Sequence, residues 1–161
     1  MVGRKQHDQR KVGRDVCKLP LFNFLQMKIV LDTNCLLRAA PRKSDYHCIL
    51  TALHQGRYVL CCSNEILMEY EELLTRFYSW KFADYVLNFI FYSVNTLLVT
   101  PHFKWTLIHY DPNDNKFVDC AFNAGADYIV TNDRHFNVLK SVYFPSVKII
   151  DLETFKNILE L

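Results

Sequence analysis

Apolar positions along the chain follow two alternating patterns. Short continuous runs at 28–32, 58–62, 97–100, 127–131 and 147–150 read as strands buried on both faces. Between them the apolar residues recur at helical spacing. A short helix is predicted over about 34–40, ended near Pro41, and a second from a Ser44 cap to about Gln55, with Gly56 as its stop. Ser63 caps a third, whose apolar side chains are Ile66, Leu67, Tyr70, Leu73, Leu74 and Phe77. A fourth, about 81–94, is apolar nearly all round, which predicts that it is well covered. Further helices are predicted over about 114–124, ended by Gly125, then 134–140 and 152–159. Strands that alternate with helices predict an α/β fold with a mostly parallel sheet of about five strands, helices on both faces and right-handed crossovers. Ligands of such sheets bind beyond the carboxyl ends of the strands.

Composition narrows the class. The chain has 161 residues, 50% hydrophobic and 22% charged, enough to bury a core of its own. That excludes a disordered chain, and four glycines with five prolines exclude fibrous sequence. No apolar run reaches the roughly 18–20 residues that span a bilayer. The net charge of +2 is unevenly spread: residues 1–26 carry six Lys or Arg and two Asp, so the remainder is mildly acidic. The chain therefore reads as a basic N-terminal extension, 1–26, and a folded domain, 27–161. The extension lacks the features of a secretory signal. The cysteines at 17, 35, 48, 61, 62 and 120 form no C-x-x-C pair, which points to a reducing, cytoplasmic setting.

Three acids fall at the predicted strand ends. Asp32 closes the first strand, Asp133 follows the fourth, and Asp114 opens the helix that leads into the fourth. Each has an ordinary structural explanation, in a turn or at a helix start. Together at one edge they repel one another and call for a counter-charge, for which a divalent cation is the natural candidate. Asp119 lies about 140° around the helix from Asp114, so it reads as a solvated or supporting acid. Asp111, before Pro112, reads as a turn residue. A fourth acid is expected from the helix after the second strand, which holds Glu65, Glu69, Glu71 and Glu72; periodicity leaves Glu69 and Glu71 equally placed. None of the histidines sits with these acids at zinc-ligand spacing. Oxygen-only ligation suits Mg²⁺ or Mn²⁺, which acidify a bound water and stabilise charge on a phosphate. The chemistry indicated is phosphodiester hydrolysis.

The runs M-K-I-V-L-D-T-N-C-L-L-R, S-N-E-I-L-M-E-Y, D-P-N-D-N-K-F and A-D-Y-I-V-T-N-D-R-H-F resemble the PIN domain family, more narrowly its PilT N-terminus, VapC-like group of toxin components of toxin–antitoxin systems. The resemblance covers about 27–159. It implies a PIN-like three-layer α/β/α sandwich and Mg²⁺- or Mn²⁺-dependent endoribonuclease activity on RNA. The family's acids fall on Asp32, Glu69, Asp114 and Asp133, as catalytic residues and metal ligands, which selects Glu69 over Glu71. Asn34 and Thr131 match supporting polar positions. Lys116 and Arg134 are candidate RNA contacts, with Arg38, Arg42, Lys43 and His135 also near that edge. The resemblance further implies a cognate antitoxin and a homodimer, for which the aromatic-rich segment 77–92 is a candidate interface. The competing reading is a non-catalytic PIN-fold module that binds RNA or protein. A haloacid dehalogenase-type phosphatase would want an Asp where Asn34 stands. A response-regulator receiver would want paired acids by the first strand, and no glycine-rich phosphate loop is present.

Overall fold

A computed structural model describes residues 26–144 and 146–160; the basic extension lies outside the described residues, apart from Gln26. Five parallel strands form one sheet in the order β3-β2-β1-β4-β5. They are β1 (Lys28–Leu31), β2 (Val59–Cys62), β3 (Thr96–Leu98), β4 (Tyr128–Val130) and β5 (Lys148–Ile150). Each lies within the run predicted for it or overlaps it closely. The helices are α1 (Thr33–Ala39), α2 (Cys48–His54), α3 (Asn64–Phe77), α4 (Trp80–Phe91), α5 (Asn115–Ala124) and α6 (Leu152–Glu160). A 3-10 turn, Pro112–Asp114, precedes α5, and a longer 3-10 segment, Arg134–Ser141, links β4 to β5.

From β1 the chain moves outward to β2 and β3, then returns to β4 and β5 on the other side. Right-handed crossovers running in opposite directions put helices on opposite faces, which gives the three-layer α/β/α sandwich. The burial of Ile29, Val30, Leu31 and all of β2 follows from that double cover. It also places a crevice beyond the carboxyl ends of β1 and β4, where the strand order reverses.

Local chemistry sets the element ends. Ser63 accepts a hydrogen bond from the Ile66 amide at 3.3 Å and starts α3 as expected. Gly125 ends α5 with φ +59°, a left-handed conformation that glycine adopts without strain. Two expectations are corrected. Ser44 does not cap α2, which starts four residues later; its hydroxyl donates to the Arg38 carbonyl and accepts from the Tyr46 amide, building a turn instead. Helix α4 is not well covered. Only Ala83, Val86 and Ile90 are buried, a narrow stripe packed chiefly toward α3, while Trp80 and Phe91 stay 65% and 55% exposed. Among the described residues no helix is long and apolar enough to cross a membrane, and the described cysteines, 35, 48, 61, 62 and 120, are all free.

Candidate active site

The β1–β4 pairing builds the site. Register aligns Leu31 with Val130, so the next residues, Asp32 and Thr131, leave the sheet side by side. The Asp32 amide donates to the Val130 carbonyl at 3.0 Å. The Thr131 hydroxyl donates to Asp32 Oδ2 at 2.7 Å, and the Asn34 amide donates to Oδ1 at 3.3 Å. Asp32 is thus both the cap of α1 and a fixed carboxylate. From below, the buried Tyr70 hydroxyl donates to the Leu31 carbonyl and holds the end of β1. Burial pushes the Asp32 carboxyl above its usual range, against its two hydrogen bonds, and the charges of Asp133 and Glu69 add to that.

Three other elements converge on this point. From α3, Glu69 accepts from the Thr33 hydroxyl and pairs with the Lys116 ammonium. Glu71 is exposed, so the structure orients Glu69, the acid favoured by the family resemblance, toward the strand ends. From the 3-10 turn comes Asp114, whose Oδ2 is buried without a hydrogen-bond partner. Burial, then the charges of Asp111, Asp32 and Asp133, lift its carboxyl to about 7. From the end of β4 comes Asp133. Its amide donates to Thr131 Oγ1 at 2.9 Å, so one threonine orients two acids.

The remaining sequence-predicted residues sit as follows. Asn34 contributes its backbone amide, while its side chain is exposed. Lys116 is only 11% exposed; it bonds the Asn113 carbonyl at 2.7 Å and neutralises Glu69, so its head group is engaged inside the site rather than open to solvent. Arg134 is exposed beside Asp133. Arg42 bonds the Tyr85 hydroxyl at 3.2 Å, and Arg38 lies over the Tyr46 ring at 4.5 Å.

Two sequence expectations are corrected. His135, expected only as a candidate RNA contact near this edge and not among the acids, belongs to the cluster. Asp133 caps the 3-10 segment through Oδ1, accepting from the His135 amide at 2.8 Å, and this folds the imidazole back until Nδ1 lies 3.4 Å from the same oxygen. One ligand atom each from Asp114, Asp133 and His135 lie within 4.8 Å of one another. The tight i to i+2 bend is a property of the cap, which residue spacing alone does not reveal. Asp119 is neither solvated nor in the cluster. It is buried and accepts from the Trp105 amide at 2.8 Å, with burial pushing its carboxyl up. It is the middle rung of a ladder along α5. Asn115 bonds both the amide and the carbonyl of Ile108, at 2.9 and 2.8 Å, and Asn123 accepts from the His102 amide at 3.1 Å. The irregular segment 99–111 is thereby strapped along α5. Four helical residues rise about 6 Å, while three extended residues span about 10 Å, so the strap must buckle between rungs. Thr106, between the rungs at 105 and 108, has φ +48°, a left-handed conformation uncommon for a β-branched residue.

The donor set fits a hard divalent cation. Oxygens of Asp114 and Asp133 lie within 4.8 Å of one another, the Asp32 and Asp114 carboxyls are raised by burial and by neighbouring acids, and a buried Asp114 oxygen lacks a partner. Asp114, Asp133 and His135 bring one ligand atom each within 4.8 Å of one another and would hold the ion, with Asp32 and Glu69 as candidate ligands beside them.

A DNA-bound VapBC2 structure from Rickettsia felis matches with a TM-score of 0.56 at 17% identity, over 78% of this chain and 98% of that one. A DNA-bound VapBC structure from Salmonella typhimurium matches with a TM-score of 0.53 at 19% identity, over 79% and 99%. At such identities the likeness is one of fold. No curated protein matches the chain. A sequence model of the PIN domain matches residues 28–135, from the first residue of β1 to the histidine of the cluster, and so takes in all four acids. The chain belongs to the PIN domain family.

Proposed function

We propose that this protein is a divalent-metal-dependent endoribonuclease that hydrolyses RNA phosphodiester bonds and serves as the toxin of a toxin–antitoxin pair. The observation that carries the reading is the convergence of Asp32, Glu69, Asp114 and Asp133 at the sheet's switch point, with an unpartnered buried oxygen on Asp114. A bound Mg²⁺ or Mn²⁺ supplies positive charge to phosphate oxygens and acidifies water. The chain's own residues do the positioning. Thr131 fixes Asp32 and Asp133 relative to one another, Thr33 and Lys116 hold Glu69, and Asn34 orients Asp32 through its amide. Arg134 is exposed at the rim and suits a backbone phosphate.

The family resemblance and the VapBC structures support a cognate antitoxin as partner. Trp80 and Phe91, exposed on one flank of α4, offer apolar surface for a homodimer. Free cysteines support a reducing, cytoplasmic setting. The family match starts at Lys28, which supports 27–161 as the domain and 1–26 as an extension.

The test is cleavage of labelled single-stranded RNA with Mn²⁺ or Mg²⁺, beside EDTA and Asp32→Asn controls. Cleavage lost in both controls is the expected result. No cleavage of a broad RNA pool, with no metal binding by calorimetry, would sink the enzyme reading and favour a non-catalytic module.

A further inference from the structure

Tyr110 is 91% exposed although the backbone around it is pinned. The last rung of the strap, at Ile108, lies two residues before it, and Asp111, which accepts from the Asn113 amide at 3.0 Å, follows it. The segment therefore delivers the tyrosine to the same edge of the sheet as Asp114. Its ring lies beside the His135 imidazole, nearly parallel at 12° and offset, with centroids 5.7 Å apart. The imidazole in turn reaches Asp133 Oδ1 at 3.4 Å. Acid, imidazole and phenol thus form a continuous row from the reacting centre outward. The two rings are offset, so the phenol keeps most of its surface open to solvent.

Other exposed aromatics are elsewhere. Tyr143 and Phe144 follow the 3-10 segment on its way to the start of β5, at the opposite edge of the sheet. Trp80, Tyr85 and Phe91 belong to α4. Trp105 packs edge-on against Phe122, well down α5. Among the ring contacts of the described residues, that of Tyr110 alone joins an exposed aromatic to the acid cluster.

We infer that Tyr110, aligned beside His135, is a stacking platform for an unpaired base of the RNA next to the phosphate that is cut. The inference rests on the ribonuclease reading and deepens it by naming a residue that positions the substrate. A base one nucleotide from a phosphate held by the acids falls within reach of a ring one side chain away from them. Stacking on an aromatic ring accepts any base, because every base has a π face. Within a duplex that face is already covered, so the platform takes single strands and loops and refuses paired stems. The strap supplies preorganisation: a ring whose backbone is fixed loses little freedom when a base settles on it.

The experiment measures anisotropy of a fluorescein-labelled, mixed-sequence single-stranded RNA decamer with Mn²⁺, on an Asp32→Asn background that leaves the RNA uncut. Tyr110→Leu is expected to weaken binding about tenfold, while Tyr110→Phe and Tyr110→Trp stay within about twofold of the parent. In the otherwise wild-type enzyme, Tyr110→Leu should raise KM with kcat unchanged. With a decamer that carries a ribose phosphate backbone but no bases, the parent and Tyr110→Leu should bind alike. Equal binding of the base-containing decamer by the parent and Tyr110→Leu overturns the platform and leaves the ribonuclease reading intact. A parent that binds no RNA, with a wild-type chain that cuts none, overturns both. The tyrosine is exposed, so its replacement does not disturb the core, and the phenylalanine variant separates loss of the ring from loss of the hydroxyl.

Discussion

Asp114 has an ionisation that works against the metal-free fold. Its carboxyl titrates near 7 in the folded protein, raised from 3.8 by burial and by its neighbours' charges. A raised carboxyl means that the folded state holds the proton more tightly than the unfolded one. The associated stability is full below the unfolded value and is lost as pH climbs from about 4 through 7. The metal-free protein should therefore melt lower at about pH 8 than at about pH 5.5. Mn²⁺, which binds the ionised form, should raise the melting temperature more at the higher pH. Asp114→Asn should stabilise the metal-free protein at pH 8 and remove most of the gain from Mn²⁺. Thermal melts of both proteins at the two pH values, with and without Mn²⁺, check this, and an equal gain at both pH values would contradict it. The acids at the strand ends were legible in the sequence because the β/α alternation fixes where strand ends meet. His135 was not, because its return onto Asp133 depends on a side-chain cap that folds two residues back on one oxygen.

Helix α5 carries two functions on two flanks. Phe117, Val118 and Ala121 pack inward. The other flank, at 115, 119 and 123, repeats at four residues but is polar, so spacing alone left Asp119 as a solvated or supporting acid. Its partner is the backbone of a strap, and backbone amides leave no mark in a residue pattern. Asp119→Ala should strand the Trp105 amide without an acceptor and cost about 1–3 kcal/mol, with faster exchange of that amide. Asp119→Asn keeps an oxygen at the same place and removes a carboxyl that burial disfavours, so it should stay within about 0.5 kcal/mol of wild type. Denaturant unfolding of the two variants separates an acceptor role from a charge role. A loss as large for Asn as for Ala would show that the charge itself is what matters there. Helix α4 misled in the opposite direction. Its apolar residues outnumber the three positions that α4 buries, because apolar character alone does not say which side chains find a neighbour.

At the scale of the whole molecule, α4 leaves apolar surface uncovered. Trp80 and Phe91, 11 residues apart and so on one flank of the helix, are both more than half exposed. Exposed aromatic surface of this kind suits an interface between copies. A Trp80→Glu, Phe91→Glu double variant should sediment as a monomer while the wild type sediments as a dimer, with unchanged helix content by circular dichroism. A wild type that sediments as a monomer at all concentrations would remove the homodimer from the proposal.

The hydrogen bond from Thr131 to Asp32 joins positions 99 residues apart, across neighbouring parallel strands. A ribosome therefore finishes β1, β2, β3 and the first three acids long before it adds the threonine that aligns Asp32 and the aspartate that completes the set. Until residues 131–133 are made, Asp32 lacks its aligning threonine and the acid set lacks Asp133. On the ribonuclease function proposed above, RNA near the ribosome is at risk only after those residues have left the exit tunnel, and that delay is time in which an antitoxin translated nearby could already be folded.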